Sequence, residues 1–437
     1  MKSSKSGSSK NVQRILRGTL LKSECFKIAV SERDDCLLQY QLKMEDAPVL
    51  RLLDAIIAGG LDGKASDIHL EPGTELDRVR YRIDGVLQQA QRLPMERHAA
   101  LVSCVKLMSG MDIAEKRKPQ DGRAQVVRAG QKIDLRVSSL PTISGEKIVI
   151  RVLYPEGCAR SLDDMGFTEE NLCLYRDMYK ASNGLVLVTG PTGSGKTTTL
   201  YAALQELNRP ERNIITIEDP VEYRMDGINQ VAVNIKAGMT FAGGLRSILR
   251  QDPNVIMIGE IRDRETAEIS IQAALTGHLV FSTLHTNTAA GAVTRLTDMG
   301  IEPFLIASAL RGIVAQRLVR RLCPACKKEY CPDENAWERA YFKNRDNDTD
   351  NMHQHLFTAC GCDRCHHSGY SGRIAVHEIL PVSTTLKNMI IKQASEHTLW
   401  SAAKAVSPKL TTLEEDGMRK VLDGQTSAQE LMRALGV

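Results

Sequence analysis

The densest chemistry in the chain is an eight-residue run. Gly190-Pro191-Thr192-Gly193-Ser194-Gly195-Lys196-Thr197 matches G-x-x-x-x-G-K-[ST] at every position. Glycines at these places let backbone N–H groups converge on phosphate oxygens without Cβ clashes. An apolar run, Leu185–Val188, precedes the loop, and a helix-compatible run, TTTLYAALQEL, follows it. Strand, loop and helix in that order form the context a nucleotide phosphate cradle requires, with the helix aiming its positive end at the same oxygens. Lys196 is expected to reach the β- and γ-phosphates, and Thr197 to ligate Mg²⁺. The eight residues, with Thr198 beside them, make up the candidate ATP-binding set.

Hydrolysis also needs an acid near the metal and a group to orient water. The apolar strand Val255–Ile258 runs through Gly259 into Glu260. A buried parallel strand delivers its C-terminal residue to the ligand crevice, so Glu260 is the expected Mg²⁺-side carboxylate, acting through water. A salt bridge to Arg262 is its plainer alternative. A second strand, Ile214–Ile217, ends in Glu218-Asp219-Pro220-Val221-Glu222. Carboxylates crowded there are expected to raise one another's pKa values, leaving one to handle water. Glu222 is favoured for that role and Glu218 stands second, against a reading in which they only cap the loop and bind an arginine. His278 and His285 bracket the strand Leu279–Ser282, and the pair is expected to sense the γ-phosphate.

Cys323-x-x-Cys326 and Cys362-x-x-Cys365 fit a Cys₄ structural zinc site. Four thiolates close the tetrahedron and leave no open position for catalysis. Cys331, Cys360, His366 and His367 lie nearby as spare ligands. Clustered cysteines in a long chain point to metal rather than to a disulfide framework.

These groups must be positioned by several domains, since 437 residues exceed one compact unit. Apolar content of 42% and charged content of 25% are ordinary for globular protein. Fifty-seven basic against fifty-three acidic residues leave +4, and aromatics make up 4%. Neither favours a protein living on nucleic acid, and no nucleic-acid partner is expected. No apolar run reaches the ~18 residues that span a bilayer, so a cytoplasmic chain, peripheral on a membrane, is expected.

Residues 1–44 read as a basic tail, an electrostatic handle for an anionic surface or a solvated arm. Residues 45–160 read as an α+β domain: a helix from Val49 to Ile57 closing at Gly59-Gly60, then alternating strands with an Asp84-Gly85 hairpin turn. Residues 161–310 alternate short apolar strands with helices, indicating a parallel sheet covered on both faces. Residues 311–375 are expected to form the cysteine module, with a polar loop at 332–357, and 376–437 a helical C-terminal region.

Together the motifs resemble the type II secretion and type IV pilus assembly ATPases. The likeness runs over residues 45 to 437 and rests on SDIHLEP (66–72), RYRIDGVL (80–87), DLRVSSLPT (134–142), EKIVIRVL (146–153) and VTGPTGSGKTTTLYAAL (188–204). It continues through ITIEDPVEY (215–223), LRSILRQDPNVIMIGEIRD (245–263), LTGHLVFSTLHTN (275–287), QRLVRRLCPAC (316–326) and CGCDRCHHSGYSGRIAVHEIL (360–380). The resemblance implies a PAS-like N-terminal domain followed by a RecA-like ATPase domain. It implies a homo-hexameric motor acting on a polytopic inner-membrane platform protein, with a cytosolic adaptor as a further partner. It places the catalytic glutamate on Glu222, the atypical Walker B acid on Glu260 and the histidine box on His278 and His285. Two N-domain arginines, Arg136 and Arg151, are implied to approach the γ-phosphate when the first domain closes over the second. Arg246, Arg250 and Arg262 would serve as interface or phosphate auxiliaries. The tetracysteine implies the assembly branch rather than a retraction motor. Longer relatives carry an extra docking domain; the 44 residues ahead of the first domain imply another docking mode or a role for the basic tail.

Overall fold

The computed structural model describes residues 48–154, 161–333, 336–338, 341 and 355–436. The basic tail and most of the 332–357 segment lie outside them. The chain divides into two compact units between residues 156 and 157.

In the first unit, helix α1 (Pro48–Asp62) leads into strands β1 (Asp67–Glu71), β2 (Leu76–Ile83) and β3 (Val86–Pro94), helix α2 (His98–Met108), and strands β4 (Gln120–Arg128), β5 (Gln131–Thr142) and β6 (Gly145–Leu153). The strands form one antiparallel sheet, ordered β3-β2-β1-β6-β5-β4. Its turn at Asp84 and Gly85 has φ of 48° and 83°, as a two-residue hairpin turn of the primed type demands. Alternation decides the faces. Ile68, Leu70, Val79, Tyr81, Ile148 and Ile150 pack under Ile56, Ile57, Leu101 and Val105 of the two helices. Helix α1 runs past the expected stop at Gly59-Gly60 because the small residues let it lie close on β1. A Cβ on Gly60 would meet Ile68 at 2.6 Å.

The second unit holds a seven-stranded sheet. Helix α3 (Glu169–Lys180) precedes β7 (Gly184–Thr189), α4 (Lys196–Leu207), β8 (Ile214–Glu218), β9 (Asn229–Ala232), α5 (Phe241–Ile248), β10 (Val255–Ile258), α6 (Arg264–Leu275) and β11 (Leu279–Leu284). Helices α7 (Gly291–Asp298) and α8 (Pro303–Ala309) lead to β12 (Leu310–Leu322), the short hairpin β13 (Lys328–Tyr330) and β14 (Leu356–Thr358), and β15 (Tyr370–Pro381). Helices α9 (Thr384–Ile391), α10 (Glu396–Val406), α11 (Leu413–Leu422) and α12 (Ala428–Leu435) follow. The sheet order is β15-β12-β7-β11-β10-β8-β9. All neighbours are parallel except β12 and β15.

Both faces are covered. Leu185 and Leu187 point into one core while Val186 and Val188 point into the other. The expected division at 310/311 and 375/376 does not hold in the sheet. Strand β12 starts at Leu310 and β15 crosses 375, and both extend the sheet that carries the phosphate loop. The cysteine segment is therefore an insertion between two strands of that sheet, and the C-terminal helices cover it through Leu386, Leu399, Leu413 and Leu431.

Candidate active site

Strand β7 lies between β11 and β12, while its successor β8 lies beyond β10. The crevice at the carboxyl ends of these strands is where a doubly covered parallel sheet binds ligands. The loop 190–195 opens there. Gly190, Gly193 and Gly195 have φ of 147°, 79° and 89°. A Cβ on Gly190 would lie 2.3 Å from the Gln316 carbonyl, so the position requires glycine. Helix α4 starts after Gly195 with no side-chain cap, leaving its leading N–H groups for an anion. Pro191, Thr192 and Gly193 are exposed, Thr197 and Thr198 half-buried. The Ser194 hydroxyl is buried with no hydrogen-bond partner among the described residues. The N–H groups of the loop other than at Pro191, with these hydroxyls, are the donors a triphosphate would satisfy.

Lys196 folds back onto the loop. Its Nζ donates to the carbonyls of Gly190 at 2.8 Å and Pro191 at 3.1 Å. Burial pushes its pKa down to about 8, opposed by the charge of Glu260 and assisted by that of Arg317.

Glu260 follows β10 at the same edge. It accepts from Arg262 Nη2 at 2.5 Å and stands 3.5 Å from His285 Nε2. The bond from Arg262 holds its carboxyl below the usual range, outweighing the opposing effect of burial. The ion pair with Arg262 thus forms, and Glu260 stays an ionised carboxylate beside the phosphate loop. Arg262 also reaches Asp219 at 3.6 Å. Arg246 and Arg250 lie on and just beyond α5; Arg246 pairs with Glu265 and Arg250 with its own helix end.

The two histidines do not converge. His285 follows the carboxyl end of β11, whereas His278 precedes its first residue and bonds to the Ala273 carbonyl at 3.0 Å. Six strand residues lie between them, so they are seven steps apart, about 23 Å at ~3.3 Å per residue. A strand delivers only its C-terminal flank to the crevice, so the expected pair reduces within this chain to His285.

The acidic run after β8 also divides. Glu218 is buried and accepts from Thr216 Oγ1 at 2.5 Å, from Gln230 Nε2 at 3.2 Å and from the Tyr201 hydroxyl. Burial is the main cause that pushes its pKa up, with the charge of Glu222 a lesser contribution. Mutual repulsion is therefore not what sets Glu218 apart. Glu222 is exposed on the following loop, where a carboxylate can meet water.

Arg136 and Arg151 belong to the first unit. They sit directly opposite each other on β5 and β6, with Arg123 opposite Arg136 on β4. Arg151 Nε donates to Asp67 at 3.2 Å.

Sequence reasoning missed two residues of β12. Gln316 donates to the Ser194 carbonyl at 2.8 Å and accepts from Thr199 Oγ1 at 2.7 Å, clamping the loop to its helix. Arg317 donates to Asn287 at 2.9 Å, and burial lowers its pKa. Their signal lay in the QRL run, hidden by the expected boundary at 310.

The four cysteines converge. Cys323 and Cys362 sulfurs are 3.9 Å apart, Cys326 and Cys365 3.7 Å, Cys362 and Cys365 3.8 Å. A tetrahedral zinc with bonds of ~2.3 Å sets sulfurs ~3.8 Å apart, so the set fits that ion. Backbone N–H groups of Gly361, Cys362 and Gly369 donate to these sulfurs, as suits thiolates. Cys331, Cys360, His366 and His367 are not in the cluster.

The sequence profile described as type II/IV secretion system protein matches residues 43–433. The chain is 49% identical over 389 residues to the type II secretion system ATPase E of Vibrio cholerae, spanning 89% of this chain and 76% of that protein. It is 47% identical over 389 residues to the type IV pilus assembly ATPase PilB of Myxococcus xanthus, spanning 89% and 68%. Among solved structures it is similar to the pilus retraction motor PilT with bound ADP, at TM-score 0.58 and 26% identity, covering 87% of this chain and 96% of that one. The ATPase DotB of Legionella pneumophila shares the fold at TM-score 0.62 and 22% identity, covering 87% and 94%.

Proposed function

The chain belongs to the type II/IV secretion system protein family and is an ATPase of it, and from that premise we propose that it is a homo-hexameric cytoplasmic motor whose ATP turnover drives pilins or pseudopilins into a filament. Its partner would be a polytopic inner-membrane platform protein, with a cytosolic adaptor. The observation that carries the catalytic part is the meeting of Lys196, Glu260 and His285 at the sheet edge where the phosphate loop opens.

The loop amides and Lys196 would bind the phosphates. Thr197 and, through water, Glu260 would hold Mg²⁺, which neutralises charge on the β- and γ-oxygens. Glu222 would orient and deprotonate the attacking water. His285, tied to Glu260, would sense whether a γ-phosphate is present; His278 has no part at this edge. Arg136 and Arg151 would add positive charge as the first unit closes, which suits arginine-finger work. Release of these contacts after hydrolysis would be the two-state element that moves one unit against the other. The tetracysteine would hold a structural zinc, consistent with an assembly rather than a retraction motor.

Glu260→Gln tests the reading. The variant is expected to keep ATP but lose most hydrolysis. Captured from native membranes with ATP bound, it should bring a multi-span membrane protein together with pilins or pseudopilins. The pilin type would separate secretion, pilus extension and pilus-like DNA uptake. Recovery of nucleic acid, or of soluble partners only, would overturn the proposal.

A further inference from the structure

Tyr201 lies on α4, five residues after Lys196, and has no role in the reading above. Its side chain is 1% exposed. Helical spacing turns it away from the phosphates and toward the end of β8. There its hydroxyl donates to the buried carboxylate of Glu218. Its ring meets Tyr223 edge-on, with centroids 4.6 Å apart. The residues on either side of Glu222's side chain are thus tied to the phosphate-loop helix by one phenol.

A second, half-buried side chain closes the arrangement. Gln230, from β9, donates to Glu218 at 3.2 Å, to the Tyr201 oxygen at 3.3 Å and to the Tyr223 carbonyl at 3.0 Å. It accepts from the Met225 N–H at 2.8 Å. Thr216 fills the remaining side of the carboxylate. Glu218 therefore spends its lone pairs inward, on Tyr201, Gln230 and Thr216. This explains why a strand-end acid beside a phosphate loop faces away from the ligand. The buried carboxylate holds the Tyr201 hydroxyl in one orientation, and it is that hydroxyl and ring which reach the loop.

We propose that Tyr201 is a positioning residue for ATP hydrolysis, fixing the Glu222 loop to the helix that carries Lys196 so that phosphate grip and water activation hold one geometry. The proposal rests on the reading that Glu222 handles the attacking water. Positioning of this kind acts on the turnover step, because displacement by about an ångström can cost on the order of a hundredfold in rate. It leaves the phosphate cradle itself untouched.

The test compares Tyr201→Phe, Thr216→Val and Glu222→Gln in the full-length chain. Rates are normalised to sites counted by binding of a non-hydrolysable ATP analogue, and melting temperatures are recorded. Tyr201→Phe keeps the ring against Tyr223 and removes the oxygen. It is expected to lower kcat about tenfold or more with KM for ATP within about twofold. Thr216→Val removes a comparable bond to the same carboxylate but no tie to the loop. It is expected to shift the melting temperature similarly and to keep kcat within about twofold. Equal kcat losses in these two variants would mean that the cluster is only structural and would overturn the proposal. Wild-type kcat in Tyr201→Phe, with Glu222→Gln inactive, would overturn it too. Wild-type kcat in Glu222→Gln would instead remove the reading of Glu222 on which it rests.

Discussion

Lys196 makes the sharpest quantitative prediction. In the free protein its ammonium is turned onto two carbonyls, and burial brings its pKa down to about 8. A bound triphosphate would return the ordinary preference for the charged form, so binding above that pKa must take up a proton. At pH 7 about ten lysines in eleven are already charged, and at pH 9 about one in eleven, taking the lowered value of about 8. The dissociation constant for a non-hydrolysable ATP analogue should therefore rise about tenfold from pH 7 to pH 9, which is about 1.4 kcal/mol. Calorimetry in two buffers of different ionisation enthalpy should find close to one proton taken up per site at pH 9. Lys196→Arg, charged throughout, should show a flat profile over the same range. The folding linkage has the matching sign. Between about 8 and the ordinary lysine value the unfolded chain binds more protons, so the free protein gains stability as pH rises. A wild-type affinity as flat as that of the arginine variant, with no proton uptake, would refute the argument.

Two further outcomes follow from the second unit. Stripping metal should release about one zinc per chain and lower the melting temperature, and Cys362→Ser should do the same; metal analysis finding no zinc in active protein would contradict the site. Glu430, fully buried, accepts from Arg320 Nε at 2.9 Å and Nη2 at 2.6 Å and from Arg433 Nε at 2.8 Å. Burial opposes its charge, but the two arginines outweigh it and hold the carboxyl below its usual range. Its stabilising contribution is therefore present above the ordinary glutamate pKa and lost as pH falls through the lowered one. Arg320→Met should cost about 3–5 kcal/mol by leaving that charge half-paired, and a melting temperature within a degree or two of wild type would count against the pair.

What the sequence made legible was local. The phosphate loop, the strand-end Glu260 and the two C-x-x-C pairs are each contiguous, so spacing alone carries their geometry. Alternation separated the faces of the first sheet, and continuous apolar runs located β7, β8, β10 and β11. What it missed is held by partners distant in sequence. Gln316 reaches Ser194 and Thr199 across more than a hundred residues, and no local pattern marks it. Tyr201 carries no mark within the helix-compatible run because its polar partners lie on β8 and β9. His278 was misread for a different reason. Flanking a strand on both sides looks symmetrical in sequence, but a parallel strand has only one end at the crevice. The boundary at 310 failed because β12 follows a helix without a turn signal and is joined to the sheet by pairing with β7.

That strand connects the two chemistries of the second unit. Strand β12 pairs with β7 as far as Ala315 and with β15 as far as Leu322. Gln316 and Arg317 come next after the contact with β7, and Cys323 comes directly after Leu322. At the loop end, Gln316 clamps the phosphate cradle through a carbonyl and a threonine. At the far end, the Cys323 N–H donates to the Gly369 carbonyl, and Arg320 binds Glu430 while stacking 3.9 Å over Tyr370. A slip of one residue in β12 would turn Gln316 to the opposite face and empty the clamp. The cysteine pairs close the long excursion between β12 and β15, and so fix the relative register of the two strands where no turn could. A metal held by the four cysteines would thus bear on catalysis through a register, because the strand it would pin is the one that backs the loop.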